Sequence, residues 1–211
     1  MSLAAVRHRI AGALQHAGRP ADAVTLVAVS KGRSVAAIRA VYEAGQRDFG
    51  ENRAQELAAK VPELPGDIRW HFVGPLQRNK VPIVRPLVCL LHSLDRIRLA
   101  RAWVADAADA PPALLEINLG NEPQKHGFAP ELAVAVADEI VELGVDLRGV
   151  MAIPPLGEPA GPYFRQLVGL RDALVHKHPQ MVEVSAGMTD DFEEAILAGA
   201  TTIRVGRAIF E

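Results

Sequence analysis

The feature that most constrains this chain is the apolar run 24–29, which ends in Ser30, Lys31 and Gly32. The run has no polar alternation, so both faces of the predicted strand must be covered, as in a parallel sheet or an α/β barrel wall. Lys31 then lies at the strand's C-terminal end, where ligands bind in such folds. Partial desolvation there frees an amine for carbonyl chemistry, although a solvated lysine just past a strand is the simpler interpretation of this stretch alone.

The rest of the chain alternates short apolar runs with longer segments of helical periodicity, which is typical of a parallel α/β fold. The predicted strands lie near residues 24–30, 47–50, 69–73, 88–92, 113–118, 147–152, 181–185 and 201–205. The predicted helices cover residues 1–18, 34–45, 52–60, 76–84, 95–107, 130–143, 161–176 and 190–198, and they start near capping or turn residues such as Ser34, Asn52, Asp95 and Thr189.

Eight strands predict a single (β/α)8 TIM barrel with an extra N-terminal helix, and a doubly wound open sheet is the alternative. The chain has 211 residues and no Gly/Ser linker or low-complexity segment. We therefore expect one domain over residues 1–211, with the polar residues that follow each strand gathered around one mouth.

Composition excludes several classes of function. The net charge is −2 and the basic residues are scattered, so we expect no nucleic acid and no membrane partner. Residues 1–18 lack the continuous apolar core of a signal peptide. The one cysteine, Cys89, cannot form an intramolecular disulfide and is interpreted as a small buried hydrophobe, which fits a cytoplasmic location.

A loop of small and hydroxyl residues follows the seventh strand. The segment 185–191 reads Ser-Ala-Gly-Met-Thr-Asp-Asp, and free N–H groups and hydroxyls in such a loop can hold a phosphate, although Thr189 is equally well explained as a plain helix cap. A second glycine turn, at Gly206 and Arg207, follows the eighth strand. Barrels frequently hold a phosphate between these two loops.

Arg204 stands among apolar residues of the eighth strand and must therefore have a partner. That partner is a core carboxylate such as Glu183 or Glu116, or it is a ring nitrogen or phosphate of a ligand. An amine and a phosphate site around one mouth suit a phosphorylated aldehyde, with pyridoxal 5′-phosphate the obvious one. An arginine beside its ring nitrogen leaves that nitrogen unprotonated and weakens the electron sink.

Several sequence motifs occur in the same order as in a known family. They read Leu-Val-Ala-Val-Ser-Lys at 26–31, Phe-Gly-Glu-Asn at 49–52, Trp-His-Phe-Val-Gly-Pro-Leu-Gln-Arg-Asn-Lys at 70–80, Lys-His-Gly at 125–127, Arg-Gly-Val-Met at 148–151, and the segment 185–210. The chain resembles the YggS/PROSC family of pyridoxal phosphate homeostasis proteins, whose barrel is similar to the N-terminal domain of alanine racemase. The resemblance covers nearly the whole sequence.

The resemblance implies a role for each site residue. Lys31 would form an imine with the cofactor, Asn52 would lie near its ring hydroxyl, and Arg204 would meet the ring nitrogen. The phosphate group would be held, largely by backbone and hydroxyl groups, by Ser185, Gly187, Met188, Thr189, Gly206 and Arg207. The family pattern usually has a methionine at Ala186, a serine at Thr189 and a tyrosine at Arg53. Relatives usually run past the position of Glu211, so we expect weaker closure there.

The resemblance also implies a carrier of intracellular cofactor rather than a catalyst, with apo-enzymes that use pyridoxal phosphate as candidate recipients and a monomer as the expected state. A racemase of related fold needs a second base, and Tyr42 and Tyr163 do not fall at strand ends. His71 and His126 are the other acid–base candidates, and His71 is better explained as a satisfied core histidine. The alternatives are a low-activity amino-acid racemase or decarboxylase-like enzyme, and an aldolase-type barrel without cofactor.

Overall fold

The computed structural model describes residues 2–107 and 109–210. Parallel strands close into a barrel in chain order, with the last strand paired to the first, which confirms the predicted TIM barrel. The strands are β1 (Thr25–Val29), β2 (Asp48–Glu51), β3 (Arg69–Phe72), β4 (Leu90–Leu94), β5 (Ala113–Glu116), β6 (Leu147–Met151), β7 (Glu183–Ser185) and β8 (Thr202–Val205).

Helices surround the barrel. They are α1 (Leu3–His16), α2 (Val35–Glu43), α3 (Ala54–Lys60), α4 (Val81–Val84), α5 (Ile97–Val104), α6 (Ala133–Glu142), α7 (Ala160–Val175), α8 (Phe192–Ala198) and α9 (Arg207–Phe210). The helix predicted over 76–84 is instead a 3₁₀ turn at Arg78–Lys80 followed by α4, since Pro82 lacks the N–H that a helix interior needs. Within 2–107 and 109–210, no helix is long and apolar enough to cross a membrane.

The barrel has two different faces. Outward side chains such as Leu26 and Ala28 pack with the helices in one apolar core. Because side chains alternate along a strand, neighbouring positions point to the interior. That interior is partly polar, since His71, His92 and Arg204 all lie buried inside it.

The helices begin within about three residues of the four predicted capping or turn residues, but only Ser34 is itself the cap. Ser34 caps α2 as predicted and accepts a hydrogen bond from Ala37 N. Asn52 packs instead against Gly74, and Asp95 contacts Arg96 and His126, so neither begins a helix.

Thr189, for which a plain helix cap was one of two interpretations, is not the cap either. The helix α8 begins at Phe192, with Asp191 at the cap position, and Asp191 Oδ1 accepts from Met188 N at 2.6 Å. Helix caps are hard to predict from sequence in the loops after strands, because a polar residue there can hydrogen-bond to the loop backbone as readily as it caps the helix.

The interpretation of Cys89 as a buried hydrophobe is also wrong. Cys89 is exposed, and its thiol donates to Trp70 O at 3.2 Å. The strand β4 begins one residue later, at Leu90, so Cys89 lies at the N-terminal rim of the barrel instead of inside its wall.

We predict that Gly149→Ala strongly destabilises the barrel. Gly149 has φ +156°, and a Cβ there would lie 1.9 Å from Glu183 O on the neighbouring strand β7. We expect a loss of about 3 kcal/mol or more in the free energy of unfolding, measured in urea. The matched control is Gly12→Ala in α1, where nothing lies within 4 Å of the added methyl. This control should be neutral or stabilising by about 0.5–1 kcal/mol. An unfolding curve of Gly149→Ala equal to that of Gly12→Ala would contradict the prediction.

Candidate functional site at the barrel mouth

Lys31 lies at the C-terminal mouth of the barrel, as predicted. Ser30 N donates to Gly50 O at 2.9 Å and extends the pairing of β1 with β2, and Lys31 follows directly. Its side chain is exposed, and the structure of residues 2–107 and 109–210 gives its amine no hydrogen bond or ion pair. The amine of Lys31 is therefore available to a ligand.

Lys60 is a second lysine near the first strand, but its amine is fully engaged. Its Nζ donates to Ser30 O at 2.8 Å, Glu51 Oε1 at 2.6 Å and Glu56 Oε1 at 2.6 Å. Burial raises the pKa of the Glu51 carboxyl, against the opposing effect of Lys60 and Ser30. Removing one member of a buried ion pair typically costs 3–5 kcal/mol, so this group holds the turn before Lys31 firmly.

The same group also holds the residue after Lys31. Gly32 N donates to Glu56 Oε1 at 2.5 Å, and Ser30 Oγ donates to Glu51 Oε1 at 2.6 Å. Both chain neighbours of the free amine are thus fixed to acidic side chains. Sequence reasoning missed this support, because residues far apart in the chain form it and no spacing pattern signals it.

Arg204 is buried and has neutral partners. Its Nη1 donates to Ser185 Oγ at 2.5 Å and its Nη2 to Ala152 O at 3.1 Å. Among the described residues neither Glu116 nor Glu183 forms an ion pair with it, so the carboxylate alternative is not realised. Burial lowers the pKa of Arg204 to about 10, although the charge of Glu116 opposes this. The guanidinium is therefore still charged at neutral pH.

Ser185 was predicted to help hold a phosphate, and its hydroxyl has other partners in the structure. Ser185 Oγ lies 2.5 Å from Arg204 Nη1 and 2.8 Å from His92 Nδ1. The residue is fully buried. The hydroxyl therefore positions the guanidinium of Arg204.

The two glycine loops lie side by side at the mouth. Gly187 has φ +88°, and a Cβ there would lie 2.7 Å from Ala195 Cβ. A Cβ on Gly206 would lie 3.0 Å from Val29 O. Gly187 O accepts from Arg204 N at 3.0 Å, which joins the first loop to β8. Only glycine fits these two positions without strain or displacement.

These loops present unused donors. In the described part of the chain, the backbone N–H groups of Gly187, Thr189 and Gly206 donate no hydrogen bond, and the Thr189 hydroxyl has no partner. Met188 N is engaged by Asp191, and the Arg207 guanidinium pairs with Asp190 at the surface. A cluster of free N–H groups at two adjacent turns suits a phosphate group.

Asn52 and Glu116 complete the mouth, and each has an oxygen without a partner. Asn52 Oδ1 and Glu116 Oε2 are buried and accept no hydrogen bond from the described residues. Burial raises the pKa of Glu116 to about 7, and the charge of Asp95 adds to the effect. Glu116 lines a cavity of about 220 Å³ that Lys125 and His126 also line. Sequence reasoning considered Glu116 only as a partner of Arg204.

The other acid–base candidates lie elsewhere or are engaged. Tyr42 and Tyr163 lie on α2 and α7, and their hydroxyls bond to Asp67 and Glu158. His71 is buried with two hydrogen-bond partners, which confirms it as a satisfied core histidine.

His126 is exposed, with its Nδ1 3.1 Å from Asp95 Oδ2. No group of three His, Cys, Asp or Glu side chains that could hold a metal occurs among residues 2–107 and 109–210.

Comparison with known proteins shows the class of protein to which this barrel belongs. Residues 1–211 match the family model described as alanine racemase, N-terminal domain. The barrel also superimposes on alanine racemase from Corynebacterium glutamicum with a TM-score of 0.65, at 17% identity, over 99% of this chain and 60% of that one. The chain is thus a barrel protein of the alanine racemase N-terminal domain class.

Closer relatives define the family. The chain is 43% identical to the pyridoxal phosphate homeostasis protein of Deinococcus radiodurans, over 100% of both chains. It is 40% identical to that of Pseudomonas aeruginosa, over 99% of this chain and 93% of the relative. The structure of PipY from Synechococcus elongatus with PLP bound has a TM-score of 0.81 and 35% identity, covering 98% of this chain and 100% of that one. The chain belongs to the pyridoxal phosphate homeostasis protein family.

We predict that Glu116 makes the stability of the unliganded protein fall as pH rises. Its folded pKa of about 7 exceeds the reference value of 4.5, so between these values the folded chain binds a proton that the unfolded chain releases. The free energy of unfolding should drop by up to about 3 kcal/mol from pH 5 to pH 8 on account of this group. Urea unfolding at both pH values should show that Glu116→Gln removes this part of the drop. The exposed Glu142 gives the control Glu142→Gln, which should leave it unchanged. Equal pH dependence in all three proteins would refute the assignment.

Proposed function

We propose that this protein binds pyridoxal 5′-phosphate at the barrel mouth and acts in its homeostasis as a carrier rather than as an enzyme. The observation that carries this is the free amine of Lys31 on the same mouth as two glycine loops with unused N–H groups. The names of the relatives and the PLP-bound structure of PipY support the same ligand. We further propose that residues 1–211 act as one domain, as a monomer and in the cytoplasm.

Each residue then has a role that follows from its present contacts. When bound, the cofactor supplies an aldehyde that condenses reversibly with an amine, and Lys31 is the amine that would hold it. Asn52 would use its unpartnered buried amide oxygen, Oδ1, near the ring hydroxyl. The phosphate group would be held by Gly187, Thr189, Gly206 and Arg207, and by Met188 if its N–H leaves Asp191 Oδ1, with Ser185 acting through Arg204.

Arg204 would face the ring nitrogen and keep it unprotonated. A guanidinium has only N–H donors and stays protonated at neutral pH even with the lowered pKa of about 10. It can therefore donate to a nitrogen lone pair, but it does not give up its proton readily. The cofactor would be held without the ring protonation that strengthens electron withdrawal.

The absence of a second base among the tyrosines supports the carrier role, because both tyrosine hydroxyls are engaged at helix surfaces. Glu116 is the specific observation in favour of the alternative, a low-activity racemase. Its carboxyl lies at the mouth and its pKa of about 7 suits proton transfer near neutral pH. Candidate recipients of the carried cofactor are apo-enzymes that use pyridoxal phosphate.

We predict that Lys31→Ala abolishes the visible absorbance of the protein after incubation with pyridoxal phosphate. Little stability should be lost, since the side chain is exposed. The matched control is Lys80→Ala, another lysine near the mouth. Borohydride reduction followed by peptide mass spectrometry should find the cofactor on Lys31 in the wild type and in the control. An equal yield of reduced adduct in Lys31→Ala would place the site on another lysine.

We predict that Thr189→Ala weakens binding of pyridoxal phosphate by about 1–2 kcal/mol, or roughly 5- to 30-fold, through loss of one hydrogen bond to a charged group. Stability should not change, because Thr189 is not the cap of α8. Affinity for pyridoxal, which has no phosphate group, is the internal control and should be the same in both proteins. If the variant loses affinity equally for both aldehydes, or for neither, the 185–189 loop is not the phosphate site.

We predict that the loaded protein transfers pyridoxal phosphate to an apo-enzyme but does not itself racemise alanine at an enzymatic rate. The loaded protein should restore activity to an apo-enzyme that requires pyridoxal phosphate, and Lys31→Ala treated identically should not. With alanine, the same preparation should racemise far more slowly than about 1 per second, the lower end of typical enzymes. Racemisation at or above that rate would overturn the carrier role, and its loss in Glu116→Gln would establish the racemase alternative.

A further inference from the structure

A continuous line of buried polar side chains crosses the interior of the barrel. It begins at Arg204 and Ser185 at the mouth and continues through His92, since His92 Nδ1 lies 2.8 Å from Ser185 Oγ. His92 Nε2 lies 2.9 Å from His71 Nδ1, and His71 Nε2 lies 3.1 Å from Asp48 Oδ1. The function proposed above uses only the mouth end of this line.

The far end of the line reaches the opposite rim of the barrel. Asp48 is held there by Arg69, whose Nε and Nη2 donate to its two carboxylate oxygens at 2.7 and 2.5 Å. Asp48, Arg69, His71 and Cys89 line a cavity of about 360 Å³ at this rim. His71 can therefore exchange protons with solvent at the end of the barrel away from the ligand.

The two histidines differ in charge. Burial lowers the pKa of His71, but the hydrogen bond with Asp48 and the charge of its carboxylate, with a further contribution from the nearby Cys89, outweigh burial and raise the pKa to about 9. Although burial opposes it, His71 and Arg69 lower the pKa of Asp48 to about 2. Burial, with the charges of His71 and Arg204, lowers the pKa of His92 well below its usual value. At neutral pH the line thus holds a charged His71 against a neutral His92.

The charge on His71 fixes the direction of the two hydrogen bonds that join His71, His92 and Ser185. A doubly protonated His71 donates from Nδ1 to His92 Nε2, so the single proton of His92 must lie on Nδ1 and be donated to Ser185 Oγ. Ser185 Oγ then accepts from both His92 and Arg204, and its own hydrogen must find another acceptor. When His71 is neutral and keeps its proton on Nε2 toward Asp48, the His71–His92 and His92–Ser185 bonds reverse, so Ser185 donates to His92, while the bonds to Asp48 and from Arg204 keep their direction.

We propose that His71 and His92 form a relay that sets whether the Ser185 hydroxyl donates its hydrogen into the ligand site beside Arg204 or away from it. His71 and His92 are positioning residues in this relay. A buried hydroxyl with no acceptor is costly, so a ligand atom that accepts from Ser185 favours the protonated form of His71. The ligand part of the proposal rests on the proposed function, whereas the relay itself does not.

Other charged groups near His71 have to be considered in any pH experiment. Asp48 on β2 contacts it directly, Arg69 lies two residues away on β3, and Cys89 lies just before β4. Arg148 on β6 and Glu183 on β7 line the same cavity. Of these, Asp48 alone ion-pairs with His71 within 2–107 and 109–210, so it is the group to change.

The relay is tested by NMR on the free protein with ¹⁵N-labelled histidine rings, assigned with His71→Gln and His92→Gln. Across the titration of His71, we expect the proton of His92 to move from Nδ1 at low pH to Nε2 at high pH, with the same midpoint. A His92 ring that keeps one tautomer through the titration of His71 would overturn the relay. This measurement needs no cofactor, so it is independent of the proposed function.

Asp48→Asn gives a second test, since loss of its charge should lower the His71 midpoint by at least one pH unit and the His92 exchange should move with it. Asp146→Asn is the matched control, because Asp146 forms an exposed ion pair with Arg148 and has no contact with the line. It should leave both midpoints in place. A His71 midpoint that moves without the His92 exchange following it would also overturn the relay.

The coupling to the ligand is tested by adding pyridoxal phosphate to the wild type and to Ser185→Ala. The charge of the ligand changes the pKa of His71 in both proteins. Only the wild type has the Ser185 hydroxyl that links the ligand to His92 and His71. We expect a larger rise of the His71 midpoint in the wild type. An equal rise would show that charge alone acts and would overturn the coupling, whereas the absence of any binding would overturn the proposed function and leave the relay to the first two tests.

Discussion

The burial of Arg204 inside the barrel is the constraint on which the site depends. A charged guanidinium in an apolar interior is costly unless its donors are satisfied, and here Ser185 Oγ and Ala152 O, both neutral, accept from it. A carboxylate in contact would satisfy the charge fully and leave little reason for a ligand to bind. The neutral partners fix the position of the guanidinium and leave its charge available to a ligand.

Whether a cationic side chain has acidic partners also explains the difference between Lys31 and Lys60. Lys60 meets Glu51 and Glu56 at 2.6 Å, so its ammonium is fully satisfied and serves only to hold the chain. Lys31 follows the backbone that this group immobilises, yet has no partner of its own among the described residues. A free amine on a fixed backbone is what reversible carbonyl chemistry requires, because order in the free protein reduces the entropy lost on binding.

The sequence predicts the eight strands and the mouth well, for a physical reason. The first strand has no charged residue before its end, so Lys31 marks both that strand end and the candidate site, and Asn52 does the same directly after β2. What the sequence does not reveal depends on register around the barrel. His71 and His92 are 21 residues apart and meet only because adjacent strands place both inside.

The expectation for Cys89 and the cap interpretation of Thr189 failed for the same reason that the contacts of His71 and His92 were missed: each depends on the position of a single residue. The apolar neighbours of Cys89 predict a strand from residue 88, but β4 starts two residues later, at Leu90, and this difference puts Cys89 at the exposed rim. Thr189 was equally compatible with a helix cap and a phosphate ligand. Composition and periodicity locate elements to within a few residues, whereas hydrogen-bond roles depend on single residues.

The polar interior links these observations to the proposed carrier function. In most barrels of this type, branched apolar side chains fill the interior, and apolar packing alone would be expected to contribute more stability than two histidines. Here His92 supports Ser185, which in turn supports Arg204, so the histidines replace apolar packing with a defined orientation of the guanidinium. A protein that must hold a ring nitrogen unprotonated, and later release the whole ligand, needs a donor whose direction is fixed and whose proton is not given up. Arg204 meets both requirements, because it donates to the Ser185 hydroxyl and that hydroxyl is hydrogen-bonded in turn to His92.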